Sequence, residues 1–277
     1  EMNTSGSGSV MQPDLPRPAV GTFAGPIVTT PSTTTRFMRL NHRQWENTVR
    51  DVLKLSAPTN LSNSFVAEPL RSTFDTNGAV LSVSADTFKD YQNAAESLGT
   101  TVSKDAAIKS RLSPQADATS FIKNLGKRAF RRPLTDAEVT ATKALFDKGK
   151  ALVGSGDDFA DGVQLVSDYF FQSPHFIYRE ELSSGAAGAK VALNAYEVAS
   201  KLAYAVIGSM PDDALFAAAD AGALSTRDQV VAEVKRLLGT QGAKDSLLDF
   251  HDQLLVMRGY DNIHKNDTFP GFGEGVA

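Results

Sequence analysis

The sequence predicts an all-α fold: about eight amphipathic helices in one or two packed bundles, with an extended N-terminal tail and one irregular loop. Three observations lead there. A helix-start signature recurs along the chain, the apolar residues after it repeat every three or four positions, and no convincing run alternates with period two. Glycines 208, 222 and 239 stand where helix ends call for a left-handed residue, and Pro58, Pro114, Pro133, Pro174 and Pro211 fall at boundaries.

Residues 1–35 are rich in Ser, Thr, Gly and Pro and carry too little apolar surface to offset their ordering entropy, which predicts an extended or disordered linker. Helical grammar begins just after it. In "LNHRQW", Asn41 is a good N-cap, Gln44 can reach back to it, and Leu40 and Trp45 can staple across the first turn. The same spacing recurs as Thr135 with Glu138 in "LTDAEV", Asn194 with Glu197 in "LNAYEV", and Ser225 with Asp228 in "LSTRDQ".

Stripes of period 3.6 then mark eight helix faces in order. They run through Trp45, Val49 and Val52; Phe88, Tyr91, Ala95 and Leu98; Phe121, Leu125 and Ala129; and Val139, Thr142 and Phe146. The rest run through Phe159, Val163, Val166 and Phe170; Val198, Leu202 and Val206; Val230, Val234 and Leu237; and Leu247, Phe250 and Leu254. Residues 56–84 resist a helix, and Asn77-Gly78 is a strong turn signal between short β-prone pieces, so an irregular loop or small hairpin is expected there. The resulting division is a tail over 1–35, an N-terminal helical domain with its long loop over 36–112, and a C-terminal helical domain over 113–277.

Composition bounds the function. With 277 residues, 42% of them hydrophobic, the chain can bury a core without staples, and a net charge of -4 gives no overall attraction to nucleic acid or an anionic membrane. No apolar run approaches the roughly 18 to 20 residues of a membrane span. The absence of Cys removes disulfides, thiolate metal sites, a Cys nucleophile and a covalently attached haem from this chain. The basic run in "GKRAFRRPLTDAEV" reads as a corner between two helices: Pro133 breaks the first, Thr135 starts the next, and the Arg stems cover core while their guanidinium groups meet carboxylates or free carbonyls.

The order of "RLNHRQWENTVRDVL", "FDTNGAVLSVSADTFKDYQNAAESL", "FIKNLGKRAFRRPLTDAEV", "FFQSPHFIYREE", "YEVASKLAYAVIGSMPDDALFAAADAGAL" and "FHDQLL" resembles the secreted planctomycete and myxobacterial proteins built from planctomycete-specific, cytochrome-associated domains of unknown function. The resemblance spans about Arg36 to Phe269 and implies an exported protein, periplasmic or at the cell surface. Such proteins usually continue into C-terminal domains with a haem-attachment motif, so a chain starting at Glu1 and stopping after "FPGFGEGVA" is expected to be the N-terminal part of a longer or partnered polypeptide. No reaction carries over from the family.

No residue qualifies as catalytic: there is no nucleophile elbow, phosphate loop or H-E-x-x-H pair, and acids such as Asp157 and Asp212 sit at expected helix starts. His175 and His251 are candidates to offer an axial nitrogen to a c-type haem on a partner chain or on the C-terminal part. Asp75 and Asn77 in "DTNG" open like a calcium loop, but position 6 is Val80, so the pattern fails and a turn is the first reading. The expected function is a non-catalytic helical subunit that joins a second polypeptide or self-assembles. Two alternatives are part of a haem-dependent extracellular redox enzyme and a surface-polymer binding module using the 56–84 loop.

Overall fold

The computed structural model describes residues 36–69, 74–185 and 189–257. The tail reading for residues 1–35 therefore lies outside the described residues. A three-residue strand, β1 (Phe37–Arg39), leads into α1 (His42–Leu53); the loop that follows holds a single 3-10 turn (Leu61–Ser64) before the long α2 (Ala85–Lys104). Next come α3 (Ala106–Leu112), α4 (Ala118–Phe130), α5 (Asp136–Phe146), the single turn α6 (Gly149–Leu152), α7 (Asp158–Gln172), the single turn α8 (Pro174–Ile177) and β2 (Tyr178–Glu180). The chain then continues through α9 (Ala195–Val206), α10 (Asp213–Asp220), α11 (Arg227–Leu238) and α12 (Gln241–Leu254). The fold is all-α, with α10 and the short α3, α6 and α8 added to the eight helices expected.

The start signals hold at three of four sites. At α1 the Asn41 side chain accepts from the Gln44 N–H at 2.7 Å while Gln44 reaches back, and the same reciprocal box forms at Thr135 with Glu138 and at Asn194 with Glu197. The fourth is displaced by one residue. Thr226, rather than Ser225, caps α11, because Gln229 Oε1 accepts from the N–H groups of both Ser225 and Thr226 at 3.0 Å, a reach Asp228 does not match. Gly208 (φ 62°) and Gly222 (φ 67°) take the expected left-handed conformation, whereas Gly239 stays right-handed at φ -77° because the chain turns directly into α12.

The two strands pair antiparallel, with Phe37 opposite Glu180, Met38 opposite Arg179 and Arg39 opposite Tyr178. The sequence shows no alternation there because three residues are too few to display a period of two. The pairing brings the start of the first described segment against the end of α8, with Leu40 N–H donating to the Ile177 carbonyl at 2.9 Å.

The core forms around α7, which packs on α2, α4, α5, α6 and α8. Trp45, Tyr91, Phe121, Phe170, Phe171 and Phe176 are its largest fully buried side chains. Burying an aromatic of this size stabilises by roughly 2–3 kcal/mol before side-chain entropy is counted. Close approach is built with small residues: a Cβ on Gly162 of α7 would lie 2.4 Å from the Phe146 ring. Phe88, expected on the inner face of α2, is exposed; the stripe that packs runs through Thr87, Tyr91, Ala95, Leu98 and Val102, one residue away in phase. A second small cluster of Ala199, Ala203, Leu215, Ala219, Leu224 and Leu237 joins α9, α10 and α11.

Among the described residues, 56–84 form an irregular loop and no hairpin. Carboxylates on the helices organise it: Glu46 of α1 accepts from the N–H groups of Thr59, Asn60 and Ser62 at 3.0, 3.1 and 2.7 Å, and Asp90 of α2 accepts from Val66 N–H at 2.8 Å. Each bond satisfies a backbone donor that no secondary structure would.

Candidate functional site

The basic corner supplies the frame of the site. Arg131 follows the last residue of α4 in the left-handed conformation at φ 58° and is 3% exposed. Its planar fork donates to the carbonyls of His175 (2.6 Å), Phe176 (3.2 Å) and Tyr178 and to the Tyr204 hydroxyl (3.1 Å). One guanidinium thus satisfies the carbonyl end of α8 and the start of β2 and ties them to α9. Arg132 turns the other way and grips both oxygens of Glu138 at 2.9 and 2.8 Å, holding that carboxyl down to about 2. Lys127 and Arg128 reach Asp220 and Asp213 on α10, and Arg128 also donates to the Asp51 and Val52 carbonyls at the end of α1. All four cations are structural partners, as the corner reading expects.

The segment held by Arg131 presents His175. Ser173 caps α8 and Pro174 fills its first turn, which fixes the backbone of His175. The ring packs on Phe130 with centroids 4.8 Å apart, and Nδ1 is hydrogen-bonded to the Glu180 carboxylate, five residues on in β2. A carboxylate only accepts, so Nδ1 carries the proton and Nε2 keeps its lone pair. The His175 side chain is 37% exposed, Glu180 is 15% exposed, and no described side chain hydrogen-bonds to Nε2.

The ring borders a cleft of about 80 Å³ whose other walls include Arg132, Leu182, Tyr196, Glu197 and Ser200. Burial pushes the Glu197 carboxyl up, but donation from the Ser183 hydroxyl and from the Asn194 and Ser183 N–H groups outweighs it and holds the carboxyl below its usual range. Tyr196 points its hydroxyl to Asp220 at 2.6 Å; burial, then that carboxylate, raises it to about 12. Chemically the cleft offers an oriented, neutral imidazole at its mouth, with room inside for a few water molecules.

The other sequence candidates separate from this site. His251 lies on α12, exposed, with Nδ1 bonded to the Leu247 carbonyl of its own helix at 2.8 Å. Asp75 accepts from the Asn41 side chain at 2.8 Å while its N–H donates to Gln253, so it braces the loop between α1 and α12. Asn77 accepts from Ala79 N–H at 3.0 Å, the geometry of a turn. Among the described residues no three metal-type side chains cluster, at Asp75 or elsewhere.

Sequence reading missed Glu180, whose relation to His175 depends on the bend from α8 into β2. It also missed a buried ion network. Arg39 donates to Glu68 and to the Tyr91 hydroxyl, both at 2.8 Å, and Glu68 also accepts from His42 N–H at 3.1 Å. Burial, then the nearby Arg39 charge, lowers the His42 imidazole to about 4, so it is neutral near pH 7. Burial raises Glu68 more than Arg39 lowers it.

Three family models match the chain in tandem: PSD3, a protein of unknown function (DUF1587), over residues 38–104; PSD5, a protein of unknown function (DUF1595), over 117–181; and PSD4, a protein of unknown function (DUF1592), over 193–277. The chain belongs to this PSD family. No curated protein and no solved structure matches it. The PSD3 segment contributes β1, α1 and α2, and the PSD5 segment contributes α4 to β2, so the small sheet and the main core are shared between them. His175 and Glu180 both belong to the PSD5 segment, while the cleft's far wall, Asn194 to Ser200, comes from PSD4.

Proposed function

We propose that this PSD protein is a non-catalytic helical subunit of an exported, c-type-cytochrome-linked assembly, to which it contributes packing surface and one imidazole, that of His175. The observation that carries the reading is the His175–Glu180 pair: a carboxylate on Nδ1 fixes the tautomer, aims the ring and makes Nε2 more basic, as it does for metal-bound histidines. The chain has no Cys for covalent attachment and the cleft is too small for a macrocycle, so the haem would stay on the partner and meet His175 at the cleft mouth. His251 is the weaker choice because its Nδ1 is held by a backbone carbonyl and lacks the carboxylate.

The no-transmembrane part of the expectation holds for the described residues: none of their helices is long and apolar enough to cross a membrane. Export and the partner chain are supported by the family resemblance. The test is the absorption spectrum of the complex with its partner. His175→Ala is expected to shift the haem bands and Glu180→Gln to shift them less, with the complex still formed; bands unchanged in both variants overturn the assignment. Should the intact complex oxidise a substrate with peroxide, the alternative of a redox enzyme with its haem on another chain is the one supported.

A further inference from the structure

The stripe Leu247, Phe250 and Leu254 was expected to face the core, and on α12 it faces outward. The inner side is taken by other residues: Asp249 pairs with Arg43 at 2.7 Å, Gln253 accepts from Asp75 N–H at 2.8 Å, and Ala243 is buried. Leu247, Leu248, Leu254 and Leu255 are left 59%, 64%, 47% and 59% exposed. Leu255 N–H still donates to the His251 carbonyl at 2.9 Å, so it continues the helical register just past the end of α12. Relative to His251 these four leucines are at positions -4, -3, +3 and +4, the spacing that places side chains on one helix face. His251 is therefore the centre of an exposed leucine quartet.

The stretch "LLDFHDQLL" reads nearly the same from either end. A two-fold axis through His251, perpendicular to the helix, lays a second copy antiparallel on the first. It places Leu247 of one chain against Leu255 of the other, Leu248 against Leu254, and the two His251 rings at the centre. An isologous contact needs a surface that is its own complement, and this sequence order provides one. With Val256 and Met257 exposed beside it, the face presents on the order of 800 Å² of mostly apolar surface, the share each partner gives to a standard interface and more than a monomer usually leaves bare.

We propose that α12 is a homodimerisation helix, pairing antiparallel with a second copy of this chain across a two-fold axis at His251. This is independent of the His175 reading, which lies on other elements and is tested spectroscopically. The heptad-like order Leu247, His251, Leu254 with a polar residue at the centre is the pattern that fixes register in short helical seams.

The chain has no Cys, so single thiols can be placed on a clean background. The full chain is expected to sediment as a dimer at tens of micromolar, and the Leu248→Glu, Leu254→Glu double variant as a monomer with unchanged circular dichroism. His251→Cys, on the axis, is expected to cross-link to itself under mild oxidation. Leu247→Cys is expected not to, since two such residues lie about 12 Å apart along an antiparallel pair, beyond disulfide reach; mixed with Leu255→Cys it is expected to cross-link. A monomeric wild-type chain, a dimer indifferent to the Glu substitutions, or Leu247→Cys linking to itself would each overturn the proposal.

Discussion

Replacing Arg131 tests whether the basic corner is architecture. Its side chain is buried, no carboxylate pairs with it among the described residues, and it serves the carbonyls of His175, Phe176 and Tyr178 together with the Tyr204 hydroxyl. Arg131→Met keeps most of the apolar stem but removes the donor from three carbonyls. At about 1–3 kcal/mol for each buried group left unsatisfied, the gross loss is several kcal/mol. Part of it returns because the guanidinium no longer has to be desolvated. A net loss of about 3 kcal/mol is expected, which for a chain of this size lowers the melting temperature by roughly 6–12 °C. Arg131→Gly refines the test. Glycine suits φ 58° better than Arg does, so it should recover about 1 kcal/mol of backbone strain relative to Met and still be destabilised. Urea unfolding with matched m-values measures both. A loss below about 1 kcal/mol for Arg131→Met, or a Gly variant as stable as wild type, would refute the idea that this fork holds α8 and β2 in place.

Two further outcomes follow from the packing of α7. Asp168 lies against Gly99 of α2, where an added Cβ would be 1.7 Å from its Oδ1, and burial, with Glu96 adding to it, pushes its carboxyl up to about 7. A raised carboxyl binds its proton more tightly when folded, so its contribution is complete below the ordinary value of 3.8 and is lost as pH rises through 7. Asp168→Asn should match wild type at pH 5 and exceed it at pH 8 by about 1–2 kcal/mol, the full shift being reduced by partial solvent screening; equal stability at pH 8 counts against the shift. Gly162→Ala should cost about 2 kcal/mol, overpacking against the Phe146 ring outweighing the gain in helix propensity, and adding Phe146→Leu should recover much of it in a double-mutant cycle.

What the sequence made legible was what is decided within a turn or two of chain. The caps at Asn41, Thr135 and Asn194 depend on side chains three residues apart, and all three form as spacing dictates. The cap of α11 slipped by one because Ser225 and Thr226 are adjacent hydroxyls and only the reach of Gln229 distinguishes them. Periodicity located helices but not the side that is covered: α12 has a good apolar stripe, yet its anchors to Arg43 and Asp75 are polar and distant in sequence. The candidate site was half legible. His175 stood out as one of only four histidines, whereas Glu180 acquires meaning only once α8 ends and β2 pairs with β1. The Arg39–Glu68 pair joins residues 29 apart through a loop with no period to read.

The central claim, membership of a haem-bearing assembly, is tested most directly by capturing the full chain with its native partners and recording intact mass and absorption on the same material. The account predicts a second polypeptide carrying covalent haem and a Soret band. A colourless complex containing this chain alone would contradict it.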